Sequence, residues 1–252
     1  AKINRKTMKL HVLGSNSKGN GYILEGNSQT LLLEAGCPLK DVKEALNFDL
    51  TKVVGVLVSH VHGDHAKHAL SYAHAGIGLY ASNDTYKSLT GVKPLKKYLI
   101  EADNQYTIGE FKIIPFSVKH DVPCLGFFIN HPECGNIAFI TDTHYIPKTF
   151  KGLNQILIEA NYEASILDNN LWNGAIDNVR YQRVLRSHMS LETCIEALKK
   201  NDLKGVQNII LIHLSPQNSD ADLFKNKVVE ATGKNVHIAL KGLVIDFNKS
   251  PY

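Results

Sequence analysis

The chain has 252 residues, 44% apolar and 21% charged, which is ordinary for a globular protein and unlike a disordered one. Lys and Arg outnumber Asp and Glu by 28 to 24. A net charge of +4 excludes the strongly basic surface of a dedicated nucleic-acid-binding domain but leaves a phosphate-bearing substrate open.

The chain shows no sign of a membrane or secretory segment. No apolar run approaches the roughly 20 residues that cross a bilayer, and no apolar segment follows the basic residues 1–10. The four cysteines, Cys37, Cys124, Cys134 and Cys194, form no CxxC pair and match no zinc-ribbon spacing. We therefore expect buried, reduced thiols in a cytoplasmic protein without membrane contact. We expect one domain over residues 1–252, with residues 1–7 as a disordered leader.

Short apolar runs alternate with helical patterns along the chain. Strands are predicted over residues 9–13, 22–24, 30–33, 53–59, 77–80, 111–117, 125–130, 136–140, 155–158, 208–212 and 244–247. Helices are predicted from residue 38, and over 64–75, 83–89, 163–169, 177–185, 190–200 and 219–233, with Ser190 and Ser219 as N-caps. Two strand-rich halves with interspersed helices indicate an α/β fold with two packed sheets covered by helices.

A concentrated set of metal-ligand side chains follows the most apolar strand. His60 and His62 are two residues apart, so they project to the same side of an extended chain. Asp64 and His65 come directly after, where we expect the chain to turn into a helix. Neutral imidazole suits Zn²⁺, and a carboxylate adds charge. A solvated histidine-rich loop is the alternative, but four ligand-type side chains at one strand end favour a metal site.

The motif His-x-His-x-Asp-His resembles the signature of the metallo-β-lactamase superfamily, and the similarity runs along nearly the whole chain. The resemblance implies the αββα sandwich of that superfamily, two packed mixed β-sheets flanked by helices. It also implies three later ligands at strand ends. The implied sets are His60, His62 and His120 for one metal, Asp64, His65 and His213 for the other, and Asp142 as a bridge. Taken singly, His120 and His213 could be surface histidines, and Asp142 a turn residue.

The resemblance implies two divalent metal ions that share a hydroxide as the nucleophile, with Asp64 orienting it. Two metals roughly 3.5–4 Å apart can polarise a scissile bond together and acidify water. The histidine-rich ligand set favours zinc, with manganese as the second choice.

Five further segments resemble the YycJ (WalJ)-like branch of the superfamily: residues 14–20, 33–36, 120–127, 158–162 and 187–190. In this branch, a histidine at the position of His188 lies beside the metals, which implies that His188 binds a phosphate oxygen or protonates the leaving group. Glu159 is then a candidate to orient His188. Both residues could instead be ordinary surface groups. His144 replaces the glycine typical of this branch, and we expect it at the pocket rim.

The sequence therefore favours a dinuclear metal-dependent hydrolase, most simply a phosphodiesterase or exonuclease-like enzyme acting on DNA or RNA. Two alternatives stay open: a hydrolase of small esters, thioesters or lactones with the same fold, and a non-catalytic metal-binding regulatory protein. The sequence leaves the natural substrate and the oligomeric state open.

Overall fold

The computed structural model describes residues 7–89 and 97–250. Nearly all of the leader predicted over residues 1–7 lies outside the described residues. The strands are β1 Lys9–Asn16, β2 Gly19–Glu25, β3 Thr30–Leu33, β4 Val53–Leu57, β5 Leu79–Ala81, β6 Lys97–Leu99, β7 Tyr106–Ile108, β8 Phe111–Val118, β9 Cys124–His131, β10 Gly135–Ile140, β11 Gln155–Glu159, β12 Asn208–Ile212, β13 Asn235–Ile238 and β14 Val244–Asp246. The helices are α1 Leu39–Ala45, α2 Gly63–Ala66, α3 Ala69–His74, α4 Asn83–Ser88, α5 Ala164–Trp172, α6 Asn178–Ser187, α7 Leu191–Lys199 and α8 Ala221–Thr232.

The described strands form two mixed sheets, each with seven strands. The first has the order β14-β1-β2-β3-β4-β5-β6, antiparallel up to β3 and parallel from β3 to β6. The second has the order β13-β12-β11-β10-β9-β8-β7, parallel from β13 to β10 and antiparallel from there to β7. The consecutive strands β7 to β10 in the middle of the chain thus pair antiparallel.

The main core lies between the two sheets and draws apolar side chains from both. Leu24 of β2 and Leu57 of β4 belong to the same buried cluster as Phe127 of β9 and Ile210 of β12. A second cluster packs α7 and α8 against β11 and β12. A third packs α1, α3 and α4 against the strands from β2 through β5. Helices thus cover both outer faces, and the αββα sandwich implied by the family resemblance is confirmed.

The helix predicted over residues 64–75 is broken into α2 and α3. The backbone N–H of His68 donates to the carbonyl of Ala35, 3.0 Å away, and not to a carbonyl one turn earlier. The N–H of Ala35 in turn donates to the carbonyl of His65 at 2.8 Å. The loop after β3 therefore takes up backbone groups that a continuous helix would pair internally.

The N-cap of α8 was wrongly predicted as Ser219. Its hydroxyl instead donates to the carbonyl of Ser215, and the carboxylate of Asp220 accepts from the N–H of Leu223 at 2.9 Å. Ser190 caps α7 as predicted, and its hydroxyl accepts from the N–H of Thr193.

All four cysteines are free and buried, as predicted. Among the described helices, none combines the length and apolar composition that crossing a membrane requires.

Candidate metal centre

The segment after β4 supplies a buried histidine with one unsatisfied nitrogen. His60 is fully buried, and its Nδ1 lies 2.9 Å from the hydroxyl of Ser59. Its Nε2 has no hydrogen-bond partner among the described residues and points toward Asp142, whose Oδ2 is 3.8 Å away. Buried polar atoms are rarely left unpaired in folded proteins. A bound cation would satisfy this nitrogen.

His120 follows β8 and approaches His62 from the second sheet. Its Nδ1 donates to the backbone carbonyl of Ser187 at 2.7 Å, so the tautomer with a lone pair on Nε2 is favoured. That Nε2 lies 3.2 Å from Nδ1 of His62. Two imidazole nitrogens facing each other at this distance can act together as ligands of one cation.

Asp142 and His213 leave the carboxyl ends of β10 and β12 in left-handed backbone conformations. Their φ angles are 39° and 55°, and residues other than glycine rarely adopt such positive values. Such strain of about 1–3 kcal/mol per residue persists where the surroundings enforce it, often at functional sites. Here it directs both side chains into the cluster, where Oδ1 of Asp142 lies 3.2 Å from Nε2 of His65 and 3.7 Å from Nε2 of His213.

Asp64 closes the cluster from the start of α2. Its Oδ2 lies 3.1 Å from Nε2 of His213 and 3.4 Å from Nε2 of His65. The amide of Asn20 donates to the same oxygen at 3.3 Å and lies 3.0 Å from Nε2 of His65. The carboxylate therefore faces two imidazoles and is held by a neighbouring strand.

The seven predicted side chains meet in one place, and the structure leaves none of them out. Their donor atoms form two groups, within each of which all atoms lie within 4.8 Å of one another. Asp142 is common to both groups, which are His60, His62, His120 and Asp142, and Asp64, His65, Asp142 and His213. The residues present therefore fit a pair of cations bridged by one carboxylate. Their individual roles as ligands stay a prediction.

Burial and mutual charge explain the electrostatics of the cluster. Burial lowers the pKa of His60 well below its usual value, helped by the neighbouring charge of His65, so its imidazole is neutral and able to bind metal. Burial would raise the pKa of Asp142, but the charges of His213 and His65 hold it well below its usual range. Asp64 is likewise ionised, because hydrogen bonds from His213 and His65 outweigh its burial and lower its pKa.

His188 lies beside this cluster and is held by Glu159. Its Nδ1 is 2.6 Å from Oε1 of Glu159, which is fully buried at the end of β11. The ring stacks on His213 at 5.4 Å and 12°. Burial alone would lower the pKa of His188, but the carboxylate of Glu159 raises it to about 9. The imidazole is therefore charged at neutral pH and has Nε2–H available for donation.

Three residues contact the cluster although the sequence did not predict them as its partners. Glu34 is buried with a φ of 65°, and its Oε2 is 3.5 Å from Nδ1 of His65, on the side away from Asp142. The amide of Asn161 lies 3.1 Å from Nδ1 of His213 and donates to its carbonyl at 2.8 Å. Oδ1 of Asp121 is 3.3 Å from Nε2 of His62. The only signal was that these residues lie in segments resembling the YycJ-like branch.

A pocket of about 280 Å³ opens over the cluster. Its floor includes Asp64, Asp142, His188 and His213, and one wall is formed by residues of α6. His144, expected at the rim, does not line this pocket; its ring packs against Tyr145 with centroids 4.8 Å apart. The pocket thus exposes the metal cluster and His188 to one shared space.

Comparison with known proteins agrees with this geometry. Residues 36–214 match the family model described as Beta-lactamase superfamily domain. The chain is 28% identical over 231 residues to Exodeoxyribonuclease WalJ of Streptococcus pneumoniae, covering 85% of this chain and 84% of that protein. It is 28% identical over 249 residues to Exodeoxyribonuclease YycJ of Bacillus anthracis, covering 91% and 92%. The metallo-β-lactamase fold protein YhfI from Bacillus subtilis superposes with a TM-score of 0.69 at 18% identity, covering 94% of this chain and 99% of that one.

Proposed function

Because the chain belongs to the metallo-β-lactamase superfamily, in its YycJ-like branch, we propose that it is a dinuclear metal-dependent phosphodiesterase that cleaves nucleic acid strands in the manner of an exonuclease. The observation that carries the proposal is the pair formed by His188 and Glu159 beside the histidine and aspartate cluster. A charged imidazole next to a metal pair can donate a hydrogen bond or a proton to the phosphate oxygens of a diester. The exodeoxyribonucleases similar to this chain support nucleic acid as the substrate.

The donor set and the family both support divalent metal use. One ion is assigned to His60, His62 and His120, the other to Asp64, His65 and His213, with Asp142 shared. Five of the seven donors are imidazoles, which favours zinc over manganese. When bound, such a pair supplies Lewis acidity and lowers the pKa of water enough for nucleophilic attack near neutral pH.

The residues of the chain have separate tasks around the scissile phosphate. Asp64 accepts a hydrogen bond from the attacking water and so orients it, since its carboxylate is ionised. His188 donates a proton from Nε2 to the leaving oxygen, because Glu159 holds Nδ1 and fixes the ring. Glu159 itself cannot reach the substrate, since it is fully buried behind His188.

Replacement of His188 separates metal binding from catalysis. We expect His188→Ala to keep both metals but to lower turnover of an oligonucleotide by roughly 10²–10⁴-fold, the usual contribution of a general acid. Metal content by elemental analysis and turnover of a labelled strand measure the two effects. His74→Ala is the matched control, because this exposed histidine of α3 lies outside both donor groups.

A substrate panel tests the reaction class directly. Protein reconstituted with Zn²⁺ or with Mn²⁺ should hydrolyse single-stranded DNA or RNA and bis-p-nitrophenyl phosphate in preference to an acyl ester. Higher activity with Zn²⁺ supports zinc as the working metal. Preference for the acyl ester would replace the proposal with a small-ester hydrolase, and metal-loaded protein that is inert on every substrate would indicate a regulatory role.

A further inference from the structure

We propose that Arg180 and Arg183 form a subsite that binds a phosphate of the strand next to the one being cleaved. This inference rests on the proposed function, because it assumes a substrate with more than one phosphate. It makes α6 the element that distinguishes a polynucleotide from a small diester.

The two arginines line the same pocket as the metal cluster. Arg180, Arg183 and Val184 of α6 form one wall of the 280 Å³ pocket whose floor includes Asp64 and His188. Residues three and four apart share one face of a helix, so this wall is a single continuous face of α6. Val184 anchors the face, because it is buried against Leu167, Tyr162 and Ile176.

The helix that carries the arginines also positions His188. α6 ends at Ser187, and the N–H of His188 donates to the carbonyl of Val184 at 3.0 Å. At 1.5 Å per residue, Arg183 and Arg180 are placed about 8 and 12 Å before His188 along the helix axis. His188 is assigned to the leaving oxygen of the scissile phosphate. This offset favours a neighbouring phosphate as the partner of the arginines.

The two arginines differ in how far their positive charge is already paired within the protein. Nε of Arg183 lies 3.2 Å from Oδ2 of Asp121, so part of its charge is already neutralised. The Arg180 side chain is exposed and makes no ion pair or side-chain hydrogen bond with the described part of the chain. Arg180 is therefore an unpaired cation facing a pocket that already contains two carboxylates of the metal cluster.

Guanidinium chemistry makes phosphate the fitting ligand. The planar fork of arginine binds phosphate oxygens through two parallel N–H groups and stays charged at any working pH. The carboxylates of the pocket floor would repel a carboxylate ligand as strongly as a phosphate. Only a nucleic acid strand, however, supplies a second anion at a fixed distance from the scissile phosphate. Arg180 is the main contact of the subsite, and Arg183 adds to it while bound to Asp121.

Binding tests the subsite without reference to turnover. Metal-loaded His188→Ala protein should cleave the strand only slowly. Its dissociation constant for a fluorescent single-stranded oligonucleotide can therefore be measured by anisotropy across a salt series, with each reading taken before product accumulates. Adding Arg180→Ala should raise that constant roughly 10- to 100-fold, as for a lost charge-assisted hydrogen bond. It should also reduce the slope of log affinity against log salt by about 0.7 to 1. DNA and RNA oligonucleotides distinguish the two strand types.

Arg186 provides a matched control on the same helix. It is exposed like Arg180 but lies outside the pocket over the metals. It lines a second groove with Asn178 and Gln182, and Arg183 reaches both spaces. Arg186→Ala should leave the dissociation constant unchanged apart from the screened effect of one surface charge. Equal losses from the two variants would overturn the inference, because they would show general attraction and no subsite. Arg180→Lys should recover part of the lost affinity.

Turnover of the otherwise intact enzyme separates this inference from the proposed function. The ratio of kcat/KM for an oligonucleotide to that for bis-p-nitrophenyl phosphate should fall roughly 10- to 100-fold in Arg180→Ala and hold in Arg186→Ala. An unchanged ratio in Arg180→Ala, with active enzyme, would overturn the subsite alone. Wild-type protein that binds the strand through Arg180 but cleaves no diester would overturn the proposed function alone.

Discussion

Glu159 shows how a single buried carboxylate can set the chemistry of a neighbouring imidazole. Its Oε1 faces Nδ1 of His188, and its Oε2 accepts from the backbone N–H groups of Thr143 and Met189 at 2.8 and 3.3 Å. Among the described residues, Glu159 is the acceptor in each of these three hydrogen bonds, and Nδ1 of His213 lies 3.6 Å from its Oε1. The site therefore requires a side chain that only accepts hydrogen bonds. An ionised carboxylate meets this requirement, whereas an amide also carries an NH₂ donor.

Replacement of Glu159 by glutamine tests this arrangement. An amide that keeps its oxygen toward His188 turns an NH₂ group toward the two backbone donors, and the ring of His188 loses its fixed orientation. We expect Glu159→Gln to lower kcat by roughly 10–100-fold with little change in KM. Steady-state kinetics with an oligonucleotide measures this, with Glu192→Gln on the exposed first turn of α7 as control.

The same variant has a signature in its pH profile. Glu159 raises the pKa of His188, and in the proposed reaction only the protonated imidazole could donate to the leaving group. Activity is therefore lost as pH rises through this pKa, and without the carboxylate the pKa is lower. The alkaline limb of the kcat profile should move to lower pH in Glu159→Gln. An unshifted limb would indicate that Glu159 has only a structural role.

At the residue level, sequence identified the donors but not what holds them. His60, His62, Asp64 and His65 could be found because the motif is local. Glu34 and Asn20 contact His65 only because α2 packs beside β2 and the residues that follow β3. No spacing rule predicts such contacts. The positive φ of Asp142 is also invisible in a Thr-Asp-Thr sequence, since the packed surroundings impose it.

At the scale of elements, α2 and the loop after β3 fit together through backbone contact. Gly36 lies against the carbonyl of Asp64, so a Cβ at position 36 would approach that oxygen to 1.7 Å. The neighbouring N–H of Ala35 donates to the carbonyl of His65. The position of α2, and with it the direction of the candidate ligands Asp64 and His65, therefore depends on the absence of a side chain at Gly36.

Gly36→Ala should displace α2 and weaken the site. Overpacking against backbone costs about 1–3 kcal/mol, so we expect a lower midpoint of urea unfolding together with reduced metal occupancy. Gly63→Ala is a matched control, because a Cβ at the start of α2 would meet nothing within 4 Å. Equal loss of stability in the two variants would show that the contact with Asp64 is not the cause.

The elements found from sequence are those whose apolar pattern is strong. β3 and β12 have the predicted bounds, and both are buried along their whole length. β6 was missed because it is short and exposed at a sheet edge, and β13 because polar residues interrupt its pattern. The break between α2 and α3 also escaped prediction, because the tertiary hydrogen bonds of Ala35 and His68 cause it.

At the scale of the whole molecule, the fold brings together donors separated by up to 153 residues, from His60 to His213. They lie after β4 in one sheet and after β8, β10 and β12 in the other. We propose that the described residues form one domain, because the core between the sheets includes Met8 near one end and Phe247 near the other. The family resemblance predicted this assembly, whereas the alternation of strands and helices indicated only two covered sheets.

Metal removal should lower the stability of the whole fold. Without cations, Nε2 of His60 stays buried and unpaired, and Asp142 stays buried among imidazoles. A ligand that binds only the folded state stabilises it by about 4 kcal/mol when present at 1,000 times its dissociation constant. We therefore expect a chelator to lower Tm by several degrees and added Zn²⁺ to restore it. Differential scanning calorimetry with verified metal content measures the shift.

Asp142→Ala should abolish the response to chelator, because it removes the donor common to both groups, whereas His74→Ala should retain it. An unchanged Tm after complete removal of the metal would contradict a cation site built into the junction of the two sheets.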